Sequence, residues 1–378
     1  MKVLSKMNKK HEERGFGADA LNHHVCANNE KPLLSLGWSQ RFQQQLSFEE
    51  LEQTCPHRVV AVHRGQVILS DGEKEQTLSI TGKLLNEREE EHITIGDWIL
   101  LSRDTGNFIR LLERFSLIQR QSAGTDKSQQ LVAANVDTMF IVSSCNADFN
   151  LSRLERYLTI AHASKVYPVI ALTKQDLSND PQSYLESARS LGAGIIVETV
   201  NALDPTTMTG LLDWCRPGQT VALVGSSGVG KTTLANTLGA KPQKTGSIRE
   251  DDAKGRHTTT HRSLHPLSNG AVLLDSPGMR ELGLADASAG VATVFEEIDA
   301  LSRQCRFSNC QHDQEPGCAV RAAIEKQELS ERRLTNYAKL MAEQERNAAS
   351  IAERRRKDKA TTKFYKSVMA GKKSRKRF

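Results

Sequence analysis

No apolar stretch of this 378-residue sequence approaches the ~20 residues that a helix needs to cross a bilayer. The opening segment, Met1 to Arg14, is polar and charged and lacks the apolar core of a secretory signal peptide. These two absences predict a cytoplasmic protein with no membrane partner. The length itself suffices for several domains with a substantial buried core.

Cysteine is scarce and unevenly placed. The chain has seven cysteines, an odd number, and three of them lie between Cys305 and Cys318. Disulfide frameworks usually use an even number of cysteines in a small secreted chain. The pattern therefore favours a reduced compartment and a metal site over a set of disulfides.

The net charge is small but asymmetric, since the whole sequence carries a formal +6. From Ile351 to Phe378, twelve Lys or Arg residues stand against two Asp or Glu residues, so this tail carries +10 and the other 350 residues sum to −4. A basic tail indicates a polyanionic partner. The alternative is a solvated, disordered end without a partner.

Residues 52 to about 115 contain short strand-like runs separated by turns, which predicts about five strands in about 65 residues. This density is typical of a small Greek-key barrel such as an OB-fold. Trp98 and Phe108 have two interpretations, as stacking partners of RNA bases or as core residues. Four cationic side chains are candidates for phosphate contacts: Arg64, Lys83, Arg103 and Arg110.

From about Asp137 onward, apolar runs alternate with helical patterns. Five strands are predicted, at Thr138–Val142, Pro168–Leu172, Ile195–Val197, Thr220–Val224 and Ala271–Leu274. The alternation predicts an α/β fold with a doubly wound parallel sheet and helices on both faces.

A phosphate-binding motif follows the fourth of these strands. Gly225 to Thr232 reads GSSGVGKT and matches the P-loop pattern G-x-x-x-x-G-K-[ST], with helical spacing after it. The flanking strand and helix argue against a chance glycine-rich turn. We expect Lys231 to reach the β- and γ-phosphates and the Thr232 hydroxyl to bind Mg²⁺. The predicted phosphate-binding residues are Gly225, Ser226, Ser227, Gly228, Val229, Gly230, Lys231, Thr232 and Thr233.

A base-recognition motif stands directly after the strand Pro168–Leu172. Thr173-Lys174-Gln175-Asp176 resembles the [NT]KxD guanine motif of GTPases. A carboxylate at Asp176 accepts from the ring N–H and exocyclic amine of guanine, a donor pair that adenine lacks. Thr173 replaces the asparagine of most GTPases and makes only part of an amide's bonds. After the next strand, Asn201-Ala202 resembles a weaker element whose backbone touches the base.

Two further segments are candidates for the switch regions. Asp275-Ser276-Pro277-Gly278 resembles the DxxG element, in which Asp275 holds Mg²⁺ through water and the Gly278 N–H senses the γ-phosphate. The polar loop 255–261 is expected to supply the threonine that completes Mg²⁺ coordination, either Thr258 or Thr259. These residues complete the predicted hydrolytic site.

The residue after the DxxG glycine is Met279, where many GTPases carry the glutamine that orients the attacking water. Methionine cannot do this, so we expect slow intrinsic hydrolysis. His257, His261 or a side chain of a partner are the candidates for positioning the water.

The order of the motifs is unusual. Most GTPases run from the P-loop through the switch threonine and DxxG to the base motif, whereas here Thr173–Asp176 precedes Gly225. The order predicts a circularly permuted fold. In such a fold the DxxG switch leads directly into whatever lies C-terminal to it, so we expect switch movement to be transmitted there.

Four potential metal ligands lie within fourteen residues: Cys305, Cys310, His312 and Cys318. Three thiolates and one imidazole make a closed tetrahedral zinc site of the structural kind. The alternative is three unpaired cysteines and a chance histidine. The helical patterns after this cluster end in the basic tail, and zinc knuckles and basic helices are common RNA-contacting parts.

Together these segments resemble the circularly permuted, small-ribosomal-subunit-dependent GTPase family of bacteria, the RsgA type. The resemblance rests on the OB-like region, the four nucleotide motifs and the Cys/His cluster, and it covers about Leu33 to Leu340. It implies a GTPase that binds the 30S subunit, contacts 16S rRNA and acts in late subunit maturation, with release linked to GTP hydrolysis. Thr173, the long N-terminal extension and the basic tail depart from the family pattern.

The predicted fold is therefore a circularly permuted P-loop GTPase domain with an N-terminal OB-fold barrel and a C-terminal zinc-binding helical domain. The expected division is an extension 1–50, an OB-fold domain 51–117, a GTPase domain 118–287, a zinc-binding domain 288–345 and a basic tail 346–378. We expect a monomer that carries one structural Zn²⁺ and uses Mg²⁺ with GTP. Two other functions remain open: an RNA-binding scaffold that uses GTP only as a structural switch, and a P-loop ATPase or small-molecule kinase.

Overall fold

The computed structural model of the protein describes residues 30–63, 65–80, 92–121, 129–240, 263–275 and 287–347. Three short helices open this part of the chain: α1 (Glu30–Ser35), α2 (Gln40–Gln43) and α3 (Phe48–Gln53). Helix α3 begins with a capping box, because the Ser47 hydroxyl accepts from the Glu50 N–H at 3.1 Å and the Glu50 carboxylate accepts from the Ser47 N–H at 2.9 Å.

The five strands expected of the barrel follow: β1 (Thr54–His63), β2 (Gln66–Ser70), β3 (Glu75–Ser79), β4 (Trp98–Ser102) and β5 (Phe108–Leu111). All their pairings are antiparallel, in the order β3-β2-β1-β4-β5. Strand β1 is long enough to pair with β4 through its first half and with β2 through its second. Apolar side chains from β1, β2 and β4 fill the interior: Val59, Val67, Leu69, Ile99 and Leu101.

Trp98 belongs to a second buried cluster, outside the barrel interior. Its ring is fully buried, and the rings of Trp38 and Phe42 lie 4.9 and 5.7 Å from it, centroid to centroid. Phe108 is partly buried against the barrel interior. The core interpretation of Trp98 is therefore confirmed, and residues 30–53 act as a cover over one side of the barrel.

A two-stranded hairpin of β6 (Leu117–Gln121) and β7 (Gln129–Ala134) leads from the barrel to the main sheet. The next strands are β8 (Thr138–Ser144), β9 (Tyr167–Thr173), β10 (Ile196–Thr199), β11 (Thr220–Val224), β12 (Ser263–Pro266) and β13 (Val272–Asp275). Five of them run parallel, as predicted, and they lie in the order β10-β9-β8-β11-β13. Their nearly continuous burial is typical of a parallel sheet covered on both faces.

Strand β12 is absent from the sequence prediction and runs antiparallel to β13. The chain turns back within a few residues, where the Leu267 N–H donates to the Ala271 carbonyl at 2.8 Å, and so short a connection permits only antiparallel pairing. The other edge of β12 meets β1 at the pair Ala61–Ser263. The predicted parallel sheet is thus a mixed one that continues into the barrel as eleven strands.

Arg58 of β1 fastens the barrel to the main sheet from inside. Its side chain is 1% exposed and donates to Thr220 Oγ1 at 2.8 Å, to the Asn135 carbonyl at 3.2 Å and to the Leu36 carbonyl. Burial lowers the pKa of Arg58 to about 10, so the guanidinium stays protonated at neutral pH. One buried cation therefore joins the N-terminal cover, the barrel and β11.

The helices around the sheet are α4 (Leu151–Ala163), α5 (Pro181–Arg189), α6 (Thr209–Leu212) and α7 (Lys231–Thr237). After residue 287 follow α8 (Ser288–Val294), α9 (Glu296–Ser302), α10 (Ala319–Glu325) and α11 (residues 331–347). None of the helices in the described part of the chain combines the length and the apolar character that a membrane span requires.

Helix α4 is the support on which the C-terminal helices rest. A Cβ at Gly290 of α8 would overlap the Thr159 carbonyl oxygen, so only glycine allows this close approach. Glu155 of α4 is fully buried and accepts from Arg332, Arg333 and Asn336 of α11. The C-terminal helices and the main sheet consequently share one apolar core.

Candidate functional site

The phosphate loop lies at the carboxyl edge of the parallel sheet, between β11 and α7. Gly225 and Gly230 adopt φ angles of +144° and +93°, which L side chains rarely tolerate. A Cβ at Gly225 would overlap the Val142 carbonyl oxygen of β8. Lys231 Nζ donates to the Gly225 carbonyl at 2.8 Å and to the Ser226 carbonyl. The lysine head is therefore held over the loop that is predicted to receive phosphate.

Thr173 joins the base motif to the phosphate loop. Its fully buried hydroxyl lies 2.6 Å from the Val229 carbonyl and 3.1 Å from the Ser143 carbonyl at the end of β8. A hydroxyl has one proton, so it donates to one carbonyl at a time and the short contact to Val229 is the stronger candidate. Threonine at this position thus links the end of β9 to the phosphate loop, with the end of β8 close by.

Lys174 makes a second link to the phosphate loop. Its Nζ donates to the Gly228 carbonyl at 2.8 Å, and its backbone is left-handed with φ +59°. That turn leads into the one-turn 3₁₀ helix Gln175–Leu177, where Asp176 is exposed. The arrangement leaves the Asp176 carboxylate available to a ligand beside the loop.

The second predicted base-contacting element is anchored to the helix after the phosphate loop. Thr237 Oγ1 of α7 donates to the Ala202 carbonyl at 2.6 Å, and Asn201 Oδ1 accepts from the Leu203 N–H at 3.0 Å. The Val200 N–H donates to the Leu172 carbonyl at 2.8 Å, which sets this turn beside the base motif. Both predicted base elements and the phosphate loop therefore meet at one edge of the sheet.

The loop after β8 contributes an acidic residue that sequence reasoning missed. Asp148 Oδ2 accepts from Ser226 Oγ at 2.6 Å, and Asp148 Oδ1 lies 3.1 Å from the Arg153 guanidinium. Burial alone raises the pKa of Asp148, but the bonds from Ser226 and Arg153 outweigh it and hold the pKa below its usual range. A carboxylate directly after a buried parallel strand was a usable signal, because such loops gather at the ligand-binding edge.

The predicted switch residues cannot be described in the same way. His257, Thr258, Thr259, Gly278 and Met279 lie outside the described residues, as do Arg64, Lys83 and the chain from residue 348 onward. The backbone of Asp275 ends β13, the neighbour of β11. The backbone at Asp275 therefore lies at the same edge of the sheet as the phosphate loop.

The predicted metal ligands converge in the loop between α9 and α10. The ligand atoms of Cys305, Cys310, His312 and Cys318 all lie within 4.8 Å of one another. His312 Nδ1 lies 3.6 Å from Cys305 Sγ and 3.4 Å from Cys318 Sγ, and these two sulfur atoms are 3.9 Å apart. Such a cluster of three thiols and one imidazole suits a structural metal ion.

Ser302 orients the imidazole of this cluster and was not predicted. Its hydroxyl donates to the Ile298 carbonyl at 2.7 Å, so it accepts from His312 Nε2–H at 3.0 Å. That bond fixes the tautomer in which Nδ1 carries the lone pair beside the sulfur atoms. Arg321 Nε donates to the His312 carbonyl at 2.7 Å and ties the loop to α10.

Comparison with known proteins agrees with this geometry. A family model described as "RsgA GTPase" matches residues 111–285. A second model, described as "ABC transporter", matches residues 214–359, a range that includes the P-loop found in several nucleotide-binding families.

Curated relatives cover almost the whole chain. A protein of Vibrio parahaemolyticus named "Small ribosomal subunit biogenesis GTPase RsgA 2" is 48% identical over 91% of this chain and 94% of its own length. A protein of Mesorhizobium japonicum named "Small ribosomal subunit biogenesis GTPase RsgA" is 44% identical over 83% of this chain and 90% of its own.

Solved structures share the fold at lower identity. YjeQ from Thermotoga maritima has a TM-score of 0.57 and 24% identity, covering 77% of this chain and 98% of its own. YloQ, described as a circularly permuted GTPase, has a TM-score of 0.51 and 22% identity, covering 79% of this chain and 98% of its own. The permuted order predicted from the motifs is confirmed, and the identity of the curated relatives over most of their length means that this chain belongs to the RsgA GTPase family.

Proposed function

We propose that this GTPase acts in late maturation of the small ribosomal subunit, where it binds the 30S subunit and 16S rRNA and hydrolyses GTP to GDP with stimulation by the subunit. The observation that carries the proposal is the bond between Thr173 Oγ1 and the Val229 carbonyl, which joins a guanine-type motif to a phosphate loop. The names of the curated relatives supply the ribosomal context.

Each part of the nucleotide has a candidate partner in this chain. The phosphate loop Gly225–Thr233 surrounds the phosphates, with Lys231 turning from the Gly225 and Ser226 carbonyls toward the β- and γ-phosphates. Asp176 accepts from the guanine ring, while Lys174, Gln175, Asn201 and Ala202 border the base. Because adenine lacks the paired ring N–H and 2-amino donors that a single carboxylate can accept together, these residues favour GTP over ATP.

Mg²⁺ would neutralise charge on the β- and γ-phosphate oxygens. The chain offers the Thr232 hydroxyl at the start of α7 and the carboxylate of Asp275 for holding it. From the switch segments, Thr258 or Thr259 would complete the Mg²⁺ ligands, and the Gly278 N–H would sense the γ-phosphate. Met279 leaves the attacking water without its usual orienting amide, so His257 or a group of the small subunit takes that task, and turnover without the subunit is slow.

Zinc is the proposed metal of the Cys/His cluster. A tetrahedral ion with Zn–S of about 2.3 Å and Zn–N of about 2.0–2.1 Å sets sulfur atoms about 3.8 Å apart and sulfur and nitrogen about 3.6 Å apart. The corresponding distances here are 3.9 Å for Cys305 to Cys318, and 3.6 and 3.4 Å for their sulfur atoms to His312 Nδ1. With four protein ligands the ion would stabilise the loop and take no part in hydrolysis.

The division into an extension 1–50, an OB-fold domain 51–117, a GTPase domain 118–287, a zinc-binding domain 288–345 and a basic tail 346–378 is part of the same proposal. In it the barrel, the zinc-binding part and the tail contact RNA. In the same proposal the protein works as a cytoplasmic monomer.

The decisive experiment measures GTP turnover against the concentration of purified 30S subunits. We expect a slow basal rate that rises with subunit concentration and saturates, and a rate unchanged by subunits would refute the ribosomal proposal. Lys231→Ala should abolish turnover, while Lys339→Ala, which removes an exposed lysine of α11, should leave it unchanged. If Lys231→Ala retained full activity in subunit maturation, the scaffold function would be correct instead.

A competition assay separates the nucleotide classes. Excess GDP should displace labelled GTP and excess ATP should not. If ATP displaced labelled GTP as well as the same concentration of GDP does, the ATPase or kinase alternative would be favoured.

A further inference from the structure

An exposed pair of stacked aromatic rings lies at the edge of the parallel sheet opposite the nucleotide site. The rings of Tyr167 and Trp214 are 4.7 Å apart, centroid to centroid, with an angle of 12° between their planes. Tyr167 begins β9, and Thr173 of the base motif ends it. Six steps of ~3.3 Å separate the two by roughly 20 Å, so the ring pair is remote from GTP.

The two rings have different environments. Trp214 is half-buried against the apolar cluster beneath the sheet and serves as a fixed support. Tyr167 is 45% exposed, although most large apolar and aromatic residues in the described part of the chain are more deeply buried. A rigid supported ring with one exposed side is the arrangement on which another flat ring can stack.

Two cations flank the pair. Lys165 and Arg216 are both exposed, two residues before Tyr167 and two residues after Trp214 respectively. Within the described residues neither pairs with a carboxylate, although Arg216 Nε donates to the Asp213 carbonyl at 3.2 Å. Many other arginines of the described chain are in ion pairs, among them Arg110, Arg114, Arg153, Arg156, Arg321, Arg332 and Arg333. One acidic residue is next to the pair in the sequence: Asp213, which is exposed, stands between α6 and Trp214.

The backbone conformation at Lys165 indicates that the lysine is present for its charge. Its φ is +58°, in the left-handed region just after α4, where glycine or asparagine is the usual residue. The Val166 N–H donates back to the Ala161 carbonyl at 2.9 Å, which completes the helix end. Local conformation therefore does not explain a lysine here.

We propose that Tyr167, supported by Trp214, is a docking platform for an unpaired RNA base, with Lys165 and Arg216 binding the phosphates on either side of that base. An unpaired base stacks on an aromatic side chain and leaves its phosphates to nearby cations. A protein partner would need separate side chains for the ring and for each cation, whereas one unpaired stretch of RNA supplies the flat base and the flanking phosphates together. The inference rests on the proposed function, because the small subunit supplies the RNA.

The test measures the affinity of the full-length protein for purified 30S subunits and for protein-free 16S rRNA. Tyr167→Leu, which keeps apolar bulk and loses the ring, should weaken binding to both about tenfold. Tyr167→Phe should bind within about twofold of wild type. Lys165→Gln with Arg216→Gln should weaken binding at low salt and reduce the slope of log affinity against log salt by about two.

Phe48→Leu is the matched control. Phe48 is 92% exposed but stands beside Glu49, Glu50 and Glu52, so its ring should not bind RNA and the variant should match wild type. Basal GTP turnover should stay unchanged in every variant, since none of these residues contacts the nucleotide loops. Thermal unfolding checks that each variant is folded. If Tyr167→Leu lowers the unfolding temperature, the paired glutamine variant decides, because both of its positions are exposed.

Wild-type affinity in a stably folded Tyr167→Leu variant would overturn the proposal. If Tyr167→Leu is destabilised, wild-type affinity in the paired glutamine variant would overturn it. A loss of affinity for 30S subunits with unchanged affinity for protein-free rRNA would also overturn it, and would assign the surface to a ribosomal protein. If wild type itself neither binds subunits nor is stimulated by them, the proposed function fails. If wild type is stimulated and the variants bind equally well, the platform alone fails.

Discussion

The nucleotide site and the C-terminal part (residues 287–347) are held to the main sheet by different chemistry. At the nucleotide site, the hydroxyl of Thr173 and the ammonium of Lys174 donate to backbone carbonyls of the phosphate loop. At α4, the buried carboxylate of Glu155 meets two arginines and an amide of α11. Single bonds to carbonyls can be exchanged for bonds to a ligand, whereas a buried charge cannot be left alone. The site is therefore adaptable, and the C-terminal part is fixed to α4.

This difference bears on the expectation that switch movement is transmitted to the C-terminal part, which stays a prediction. Helix α8 follows the DxxG segment, yet Gly290 packs it tightly onto Thr159 of α4. Arg156 and Glu343 add a second, partly exposed ion pair between α4 and α11 at 2.7 Å. A movement transmitted to α8 would therefore have to carry α4 with it.

The largest effect is expected from Glu155→Gln. Arg333, 10% exposed at its side chain, would keep the Glu297 carboxylate but lose its charged partner on α4. The loss of hydrogen bonds to a charged group typically costs about 1.5–3 kcal/mol. Urea unfolding of the full chain measures the change. Glu343→Gln removes a carboxylate from the exposed pair on the same two helices and should cost at most ~1 kcal/mol. Equal costs for the two variants would contradict the distinction drawn between buried and exposed contacts.

Ser302→Ala tests whether the metal loop depends on an orienting hydroxyl. His312 Nε2–H would lose its acceptor, so metal affinity should fall about 10- to 100-fold. Competition with a zinc chelator measures it. Ser308→Ala, an exposed serine in the same loop, should leave the affinity unchanged. If the two variants had the same metal affinity in the chelator titration, Ser302 would not contribute to metal binding.

Thr173→Val should weaken the nucleotide site with little change in volume. The Val229 and Ser143 carbonyls would lose their hydroxyl partner, at a cost of about 1–2 kcal/mol. GTP affinity should fall about tenfold, while Thr173→Ser keeps the bond and should remain close to wild type. Calorimetric titration with a non-hydrolysable GTP analogue gives both values. Unchanged affinity in the valine variant would show that the bond is not needed for binding.

The smallest effect is expected at Asp148. Its folded-state pKa lies below the usual value near 3.9, so the carboxylate stabilises the fold above about pH 4 and loses this effect as the pH falls further. Asp148→Asn should therefore lower the unfolding temperature slightly at pH 7, and the difference from wild type should shrink toward pH 3. A difference that grows on acidification would have the wrong sign.

Local patterns predicted the strands, the phosphate loop and the metal ligands because each depends on a short segment. The five parallel strands are apolar runs, and the four ligands lie within Cys305–Cys318. Glu155 was not predictable, since its helix reads as amphipathic and its arginine partners lie about 180 residues away. The burial of Trp98 likewise depends on Trp38 and Phe42, which lie in the predicted extension 1–50, outside the predicted OB-fold domain.

The antiparallel strand β12 has a consequence for how the chain folds. Its partner β1 is about 200 residues earlier in the sequence, at the pair Ala61–Ser263. The barrel strands leave the ribosome that makes them long before β12 exists, and so distant a pairing forms slowly. The eleven-stranded sheet is complete only when about three-quarters of the chain has been synthesised. Until then the edge of β1 that β12 will occupy stays unpaired. The incomplete chain is therefore most exposed to wrong strand pairing after the barrel strands have formed and before β12 has been made.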